Sequence, residues 1–300
     1  MLKKFWLKLT DKQKYDHYKL DLNIQKKLNI LKSGLEKKLN DISHNIENKK
    51  NISFFHSGHL GDIIYSLPIL KELSKTHECN LYIEKNKHLN SRYHNHPGGD
   101  VFLNEKLINM LLPLLKNQPY ISSTKIHTNE KIDVDLNLFR KMPMNVLFQS
   151  TGWYSHVTGV HPDLSSPYLN VKKNEIFKNK VVIIRSIRRR NYFVKYDFIK
   201  NYNNLLFIGL NEEYNDLKKS IPNLEFYDCK DFLEMAEIIK SGKFFLGNLS
   251  FGFAIAEGLK IPRLLEASPD FHALHHNGEN AYDFYFQNHF EKLFDKLYKK

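Results

Sequence analysis

Ile52-Ser-Phe-Phe-His-Ser-Gly-His-Leu-Gly-Asp-Ile-Ile-Tyr-Ser-Leu-Pro-Ile-Leu-Lys-Glu-Leu73 sets a short apolar run against a glycine-bearing loop and then a helix-period pattern. Residues 52–55 suit a buried strand, and Gly58 and Gly61 permit a tight turn. Ile63, Ile64, Leu67, Leu70 and Leu73 then recur near every third or fourth position, as one helix face does. The stretch reads as strand, loop, helix, with Asp62 at the helix N-terminus. In an open α/β sheet such a loop sits at the carboxyl end of a strand, where ligands and catalytic groups collect. Read locally, Asp62 is a helix cap whose carboxylate accepts orphan amide hydrogens.

Working outward, further strands are expected at 80–84, 121–127 and 132–138, and helices at 103–117 and 144–158. The polar loop 85–100 holds His94 and His96, but an alternating pair without a third ligand reads as a solvated loop rather than a metal site. Residues 158–171 are rich in Pro and Ser and read as an interdomain linker, which puts the boundary near 172. Beyond it, strands at 181–185, 205–209, 224–227, 244–247 and 263–266 alternate with helices near 195–203, 211–219, 230–241 and 251–260. That alternation implies a parallel sheet covered on both faces, so the chain should form two doubly wound domains facing a cleft. A last helical pattern, 281–299, is expected to cross back to the first domain.

Two stretches of the second half carry chemistry. In Ile184-Arg-Ser-Ile-Arg-Arg-Arg-Asn191, four arginines follow a buried strand, and their forked donors suit a diphosphate. Arg185 and Arg188 are the expected ligands, Arg189 and Arg190 the expected surface residues. In Phe244-Phe-Leu-Gly-Asn-Leu-Ser-Phe-Gly-Phe-Ala-Ile-Ala-Glu-Gly-Leu-Lys-Ile-Pro262, a strand runs into a turn and a helix with small residues. Asn248, Ser250 and the amide of Phe251 are placed there to hold phosphate oxygens at a helix N-terminus.

Gly-His-Leu-Gly-Asp-Ile-Ile-Tyr-Ser-Leu-Pro-Ile-Leu, from Gly58 to Leu70, resembles the opening motif of heptosyltransferase-like glycosyltransferases of the GT-B fold. The turn and Ala-rich helix after Phe244 resemble the donor-binding segment of the same group, although heptosyltransferases carry an Asp in the turn where this chain has Asn248 and Leu249. The resemblance spans residues 52–270 and implies two Rossmann-like domains and an inverting, metal-independent transfer of a sugar from a nucleotide-diphosphate donor. The acceptor would be the hydroxyl of a glycan or a lipid-linked glycan, in glycan or surface polysaccharide synthesis. It makes Asp62 the general base, with Gly61 beside the donor and Glu257 on the nucleotide ribose. His59 and His56 are reserve bases, since histidine titrates in the useful range. No cofactor and no metal are expected.

The 300 residues suffice for two domains, and 21 Phe and 16 Tyr supply a core. Cys79 and Cys229 lack any paired spacing, which fits a reducing cytoplasm. Of the net charge of +12, +7 falls in residues 1–50, which hold thirteen Lys against six Asp and Glu. The remainder is mildly basic, so a nucleic-acid track is not expected. Residues 1–50 read as a basic helical extension, with a capping box at 10–13 and apolar positions from Ile24 to Ile46. Leu2, Phe5, Trp6 and Leu9 share a face apart from Lys3, Lys4 and Lys8, the pattern of a helix at a membrane surface or docked on its own protein. A non-catalytic sugar-nucleotide-binding protein, or an interaction protein built on these helices, would use the same residues differently.

Overall fold

The computed structural model describes residues 2–89, 96–144, 150–271, 274 and 276–300. His94 lies outside the described residues, as do residues 145–149 within the helix expected over 144–158.

The extension is three helices, α1 (Leu2–Thr10), α2 (Lys12–Ile30) and α3 (Glu36–Asn48). The cap of α2 falls one residue later than the capping box predicts. Thr10 closes α1 by donating its hydroxyl to Trp6 O at 2.8 Å, so Asp11 caps α2, accepting from the Lys14 amide at 3.0 Å. Gly34, at φ 97°, breaks the chain between α2 and α3 in a conformation that side chains resist. Beyond the break, Leu35 and Ile42 are buried, and Leu39 and Ile46 pack on the core of the first half. α2 has no buried residue.

The first half holds β1 (Asn51–His56), α4 (Leu60–Leu73), β2 (Glu78–Ile83), α5 (Glu105–Lys116), β3 (Ser123–Ile126), β4 (Val134–Asp135) and α6 (Trp153–Thr158). Its sheet is parallel in the order β3-β2-β1-β4, with Phe54 level with Leu81 on one side and Val134 on the other. β4 is shorter than the apolar pattern to Leu138 predicts. The Asp135 carboxylate accepts from the Asn137 amide at 3.0 Å and turns the chain into a 3-10 helix, Leu136–Lys141.

The second half holds β5 (Val181–Ile184), β6 (Leu205–Ile208), α7 (Asn211–Lys218), β7 (Glu225–Tyr227), α8 (Phe232–Ser241), β8 (Phe244–Asn248), α9 (Phe251–Leu259), β9 (Arg263–Glu266), β10 (Ala281–Phe284) and α10 (Gln287–Lys299). This sheet is parallel too, in the order β7-β6-β5-β8-β9-β10. Counted within each half, the strand orders are 3-2-1-4 and 3-2-1-4-5-6, the doubly wound arrangement.

The expectation for 281–299 needs correction. Its first residues pair with β9 as a strand, and α10 stays on its own sheet instead of crossing back. Phe290, Phe294 and Leu297 form one buried face, and the Phe290 ring stacks on Phe284 at 3.9 Å while Phe294 meets Phe244 edge-on at 5.2 Å. Burial of each such side chain stabilises by about 1.5–3 kcal/mol, which anchors the helix there. The halves meet where α4 packs on α9 and α5 on α8, and one core takes in Ile63, Leu67 and Leu70 together with Phe253, Ala254 and Ile255. Residues 158–171 run along this seam, where the amides of Tyr168 and Leu169 donate to Gly258 O at 2.8 and 3.0 Å.

Candidate active site at two sheet crevices

In a doubly wound sheet the loops after strands 1 and 4 diverge to opposite faces and leave a crevice at the strands' carboxyl ends. The first sheet brings the loop 57–59 after β1 beside the turn after β4. Asp62 lies in the first turn of α4, but its carboxylate does not cap the helix: Oδ2 accepts from Arg140 Nη2 at 2.5 Å. Arg140 also donates to Asn137 Oδ1 at 2.9 Å and lies over the Phe139 ring at 4.4 Å. Asn137 Oδ1 accepts the Ser57 amide at 3.0 Å, so the two loops are tied together across the crevice. A Cβ on Gly58 would stand 2.2 Å from Arg140 Nη2, which makes glycine the residue that lets the guanidinium through. Gly61 faces the second half, where a Cβ would lie 3.7 Å from Ala254 Cβ.

The backbone of Asp62 is fixed as well. The Gly58 amide donates to His56 Nδ1 at 3.0 Å, so the neutral ring carries its proton on Nε2, which donates to Tyr154 Oη at 3.0 Å. Tyr154 in turn donates to Asp62 O at 2.7 Å. Burial holds His56 well below its ordinary value, in keeping with a neutral, structural ring. His56 is therefore a brace for the loop. Sequence reading missed Arg140, Asn137 and Tyr154; the only local signal was polar residues just past an apolar run.

The second crevice lies between β5 and β8. Its walls are joined by Asn248, fully buried, whose side chain accepts from the Ser186 amide at 2.9 Å and donates to Ser186 O at 2.7 Å. Ser250 caps α9, accepting from the Phe253 amide at 3.4 Å, and the half-buried Phe251 opens that helix with its ring edge-on to Phe232. Arg185 is turned inward: Nε and Nη2 donate to the buried Glu266 at 2.7 and 2.9 Å, and the guanidinium lies over Tyr196 at 4.1 Å. Arg188 is exposed. Arg190, expected at the surface, is half-buried and ion-paired with Asp216, and its Nε and Nη2 are buried without a hydrogen-bond partner. Beside this loop opens a cavity of about 450 Å³ lined by Ile187, Glu212, Asn215, Asp216 and Lys219.

Glu257 does not reach this crevice. It is fully buried near the far end of α9, where Oε2 accepts from Arg263 Nε at 2.6 Å, Oε1 accepts the Asn277 amide at 3.1 Å, and Lys260 pairs with it. Its partners supply the reason: Arg263 opens β9 with no exposed surface and requires a buried counter-charge.

His59 stands at the N-cap position of α4. Burial lowers its pKa, Asp62 pulls it up, and Arg140 from the first half and Arg188 and Arg189 from the second push it down. Its Nδ1 lies 3.2 Å from His96 Nε2, and burial, then His59 and Arg188, push His96 down to about 4. Among the described residues, no group of three or more His, Cys, Asp or Glu side chains stands ready to hold a metal ion, and no helix is long and apolar enough to cross a membrane.

No protein-family model matches the chain, and no curated protein matches it. Solved structures do. The glycosyl transferase family 9 protein from Veillonella parvula DSM 2008 aligns at 12% identity over 84% of this chain and 89% of its own, with a TM-score of 0.52. E. coli heptosyltransferase WaaC with ADP aligns at 8% identity over 82% and 99%, with a TM-score of 0.55. The iron-containing dodecameric glycosyltransferase TibC from enterotoxigenic E. coli H10407 aligns at 13% identity over 78% and 62%, with a TM-score of 0.51. At such identities the likeness is one of fold, and the fold of this chain is the GT-B type, two parallel-sheet halves that meet where α4 packs on α9 and α5 on α8.

Proposed function

We propose that the protein is an inverting, metal-independent glycosyltransferase that moves a sugar from a nucleoside diphosphate to the hydroxyl of a glycan or lipid-linked acceptor. The observation that carries this reading is that Asp62, its carboxylate held by Arg140, opens the helix α4 that packs on α9, whose Ser250-capped end closes the second crevice. In the proposed reaction the acceptor oxygen attacks the anomeric carbon, Asp62 takes the hydroxyl proton, and the bond from that carbon to the diphosphate breaks. The leaving diphosphate gathers negative charge. Arg188, Arg190 and the amide end of α9 at Ser250 and Phe251 meet it, a role a divalent cation would otherwise fill. Arg185 and Asn248 shape the crevice from behind, and the cavity beside Ile187 is the place for the nucleoside. Solved structures of the similar E. coli heptosyltransferase WaaC are with ADP and with ADP-2-deoxy-2-fluoro heptose, which supports a nucleotide-sugar donor here.

The test is a thermal-shift panel of nucleoside diphosphates and their sugars, followed by donor turnover with and without EDTA. One nucleotide is expected to raise Tm selectively, with turnover unaffected by the chelator. A protein stabilised by none of them is not a sugar-nucleotide enzyme. Binding without turnover would leave a non-catalytic receptor, and turnover lost to EDTA and restored by a divalent ion would remove the metal-independent step.

A further inference from the structure

Among the described residues of α1, the apolar side chains divide between one that is buried and three that are exposed. Leu7 is buried, while Phe5, Trp6 and Leu9 are 66%, 63% and 70% exposed. At about 100° per residue, positions 5, 6 and 9 fall within one arc, with position 7 well outside it. Lys4 and Lys8 lie along one edge of this arc and are exposed. Behind it, α2 exposes Lys12, Lys14, Lys19, Lys26 and Lys27, and residues 1–30 hold eight Lys against three Asp. α2 is about 28 Å long by helix geometry, and among the described residues apolar packing of the extension on the core begins at Ile30, while Asn23, Lys26 and Lys27 face Pro143 and Met144 across a shallow pocket.

We propose that α1, carried on α2, is a docking arm for an anionic lipid surface. A narrow apolar strip edged by lysines places aromatic rings at the headgroup level while the ammonium groups meet lipid phosphates. Size separates this occupant from a protein. Three side chains of about 150–250 Å² each, two thirds exposed, offer roughly 400 Å², about half of what one partner contributes to a standard protein interface. Docking does not rest on the transferase reading and is measured without donor or acceptor.

Full-length protein would be floated with vesicles of phosphatidylcholine and with vesicles that also contain phosphatidylglycerol. Binding is expected only to the anionic vesicles and is expected to weaken with salt. Trp6 emission should shift to the blue, since the other tryptophan, Trp153, is already buried. The double variants Phe5→Glu with Trp6→Glu and Lys4→Glu with Lys8→Glu are each expected to lose binding by about tenfold or more, with unchanged Tm. Absent or lipid-indifferent flotation, or undiminished binding by both variants, would overturn the proposal. A wild type that self-associates by light scattering, with the first variant monomeric, would assign the face to a second copy.

Discussion

Asp62 is held on two sides, its carbonyl by Tyr154 and its carboxylate by Arg140 through one of its two oxygens. That arrangement aims the carboxylate without occupying both oxygens. Asp62→Asn keeps an acceptor for Arg140 and removes the capacity to take a proton. Turnover is expected to fall about a hundredfold or more while donor affinity and Tm stay near wild type, measured by steady-state transfer and nucleotide titration. An Asn variant with near-native transfer ends the assignment of the base. The place of Asp62, in the first turn of α4, was legible because its glycine loop and helix are contiguous in sequence. Arg140 was not, since it lies 78 positions away and reaches Asp62 only because Gly58 leaves room.

Elements were largely legible where apolar period and length agreed, as in the strands β5, β6, β8 and β9, but the helix expected near 195–203 is only a 3-10 turn, Asp197–Asn201. Other exceptions are elements whose ends are set by side-chain hydrogen bonds or by pairing. β4 stops early because Asp135 turns the chain, and Ala281–Phe284 is a strand only because β9 lies beside it. In the second crevice, the loop after β5 and the first turn of α9 make a joint prediction. Arg188→Ala is expected to weaken nucleoside diphosphate binding by about 1.5–3 kcal/mol, roughly ten- to hundredfold. Ser250→Ala should weaken it too and also cost about 1 kcal/mol of stability through the lost cap. Calorimetric titration with urea unfolding separates these effects. Native affinity in both variants would place the diphosphate elsewhere.

For the whole molecule, two doubly wound halves could be read from the alternation of elements, but strand order and the seam could not, because pairing partners are distant in sequence. Glu257 shows the cost of reading a helix without its neighbours. An acidic residue on α9 suits a ribose in the sequence, whereas in three dimensions it pairs with both Arg263 and Lys260 inside the protein. Glu257→Ala leaves those cations buried and unpaired, so unfolding free energy should fall by about 3–5 kcal/mol, read by urea denaturation. Unchanged stability with lost nucleotide affinity would restore the ribose role.

The seam itself has a thermodynamic consequence. Because α4 and α9 belong to a single core, neither half can melt without stripping apolar side chains from the other. Calorimetry should therefore record one transition for the two halves, with calorimetric and van't Hoff enthalpies in agreement, despite two separate sheets. Two resolved peaks would mean independent halves. A single peak would mean that nucleotide bound on one side of the seam also protects the backbone amides of β1 and β2 on the other from hydrogen exchange.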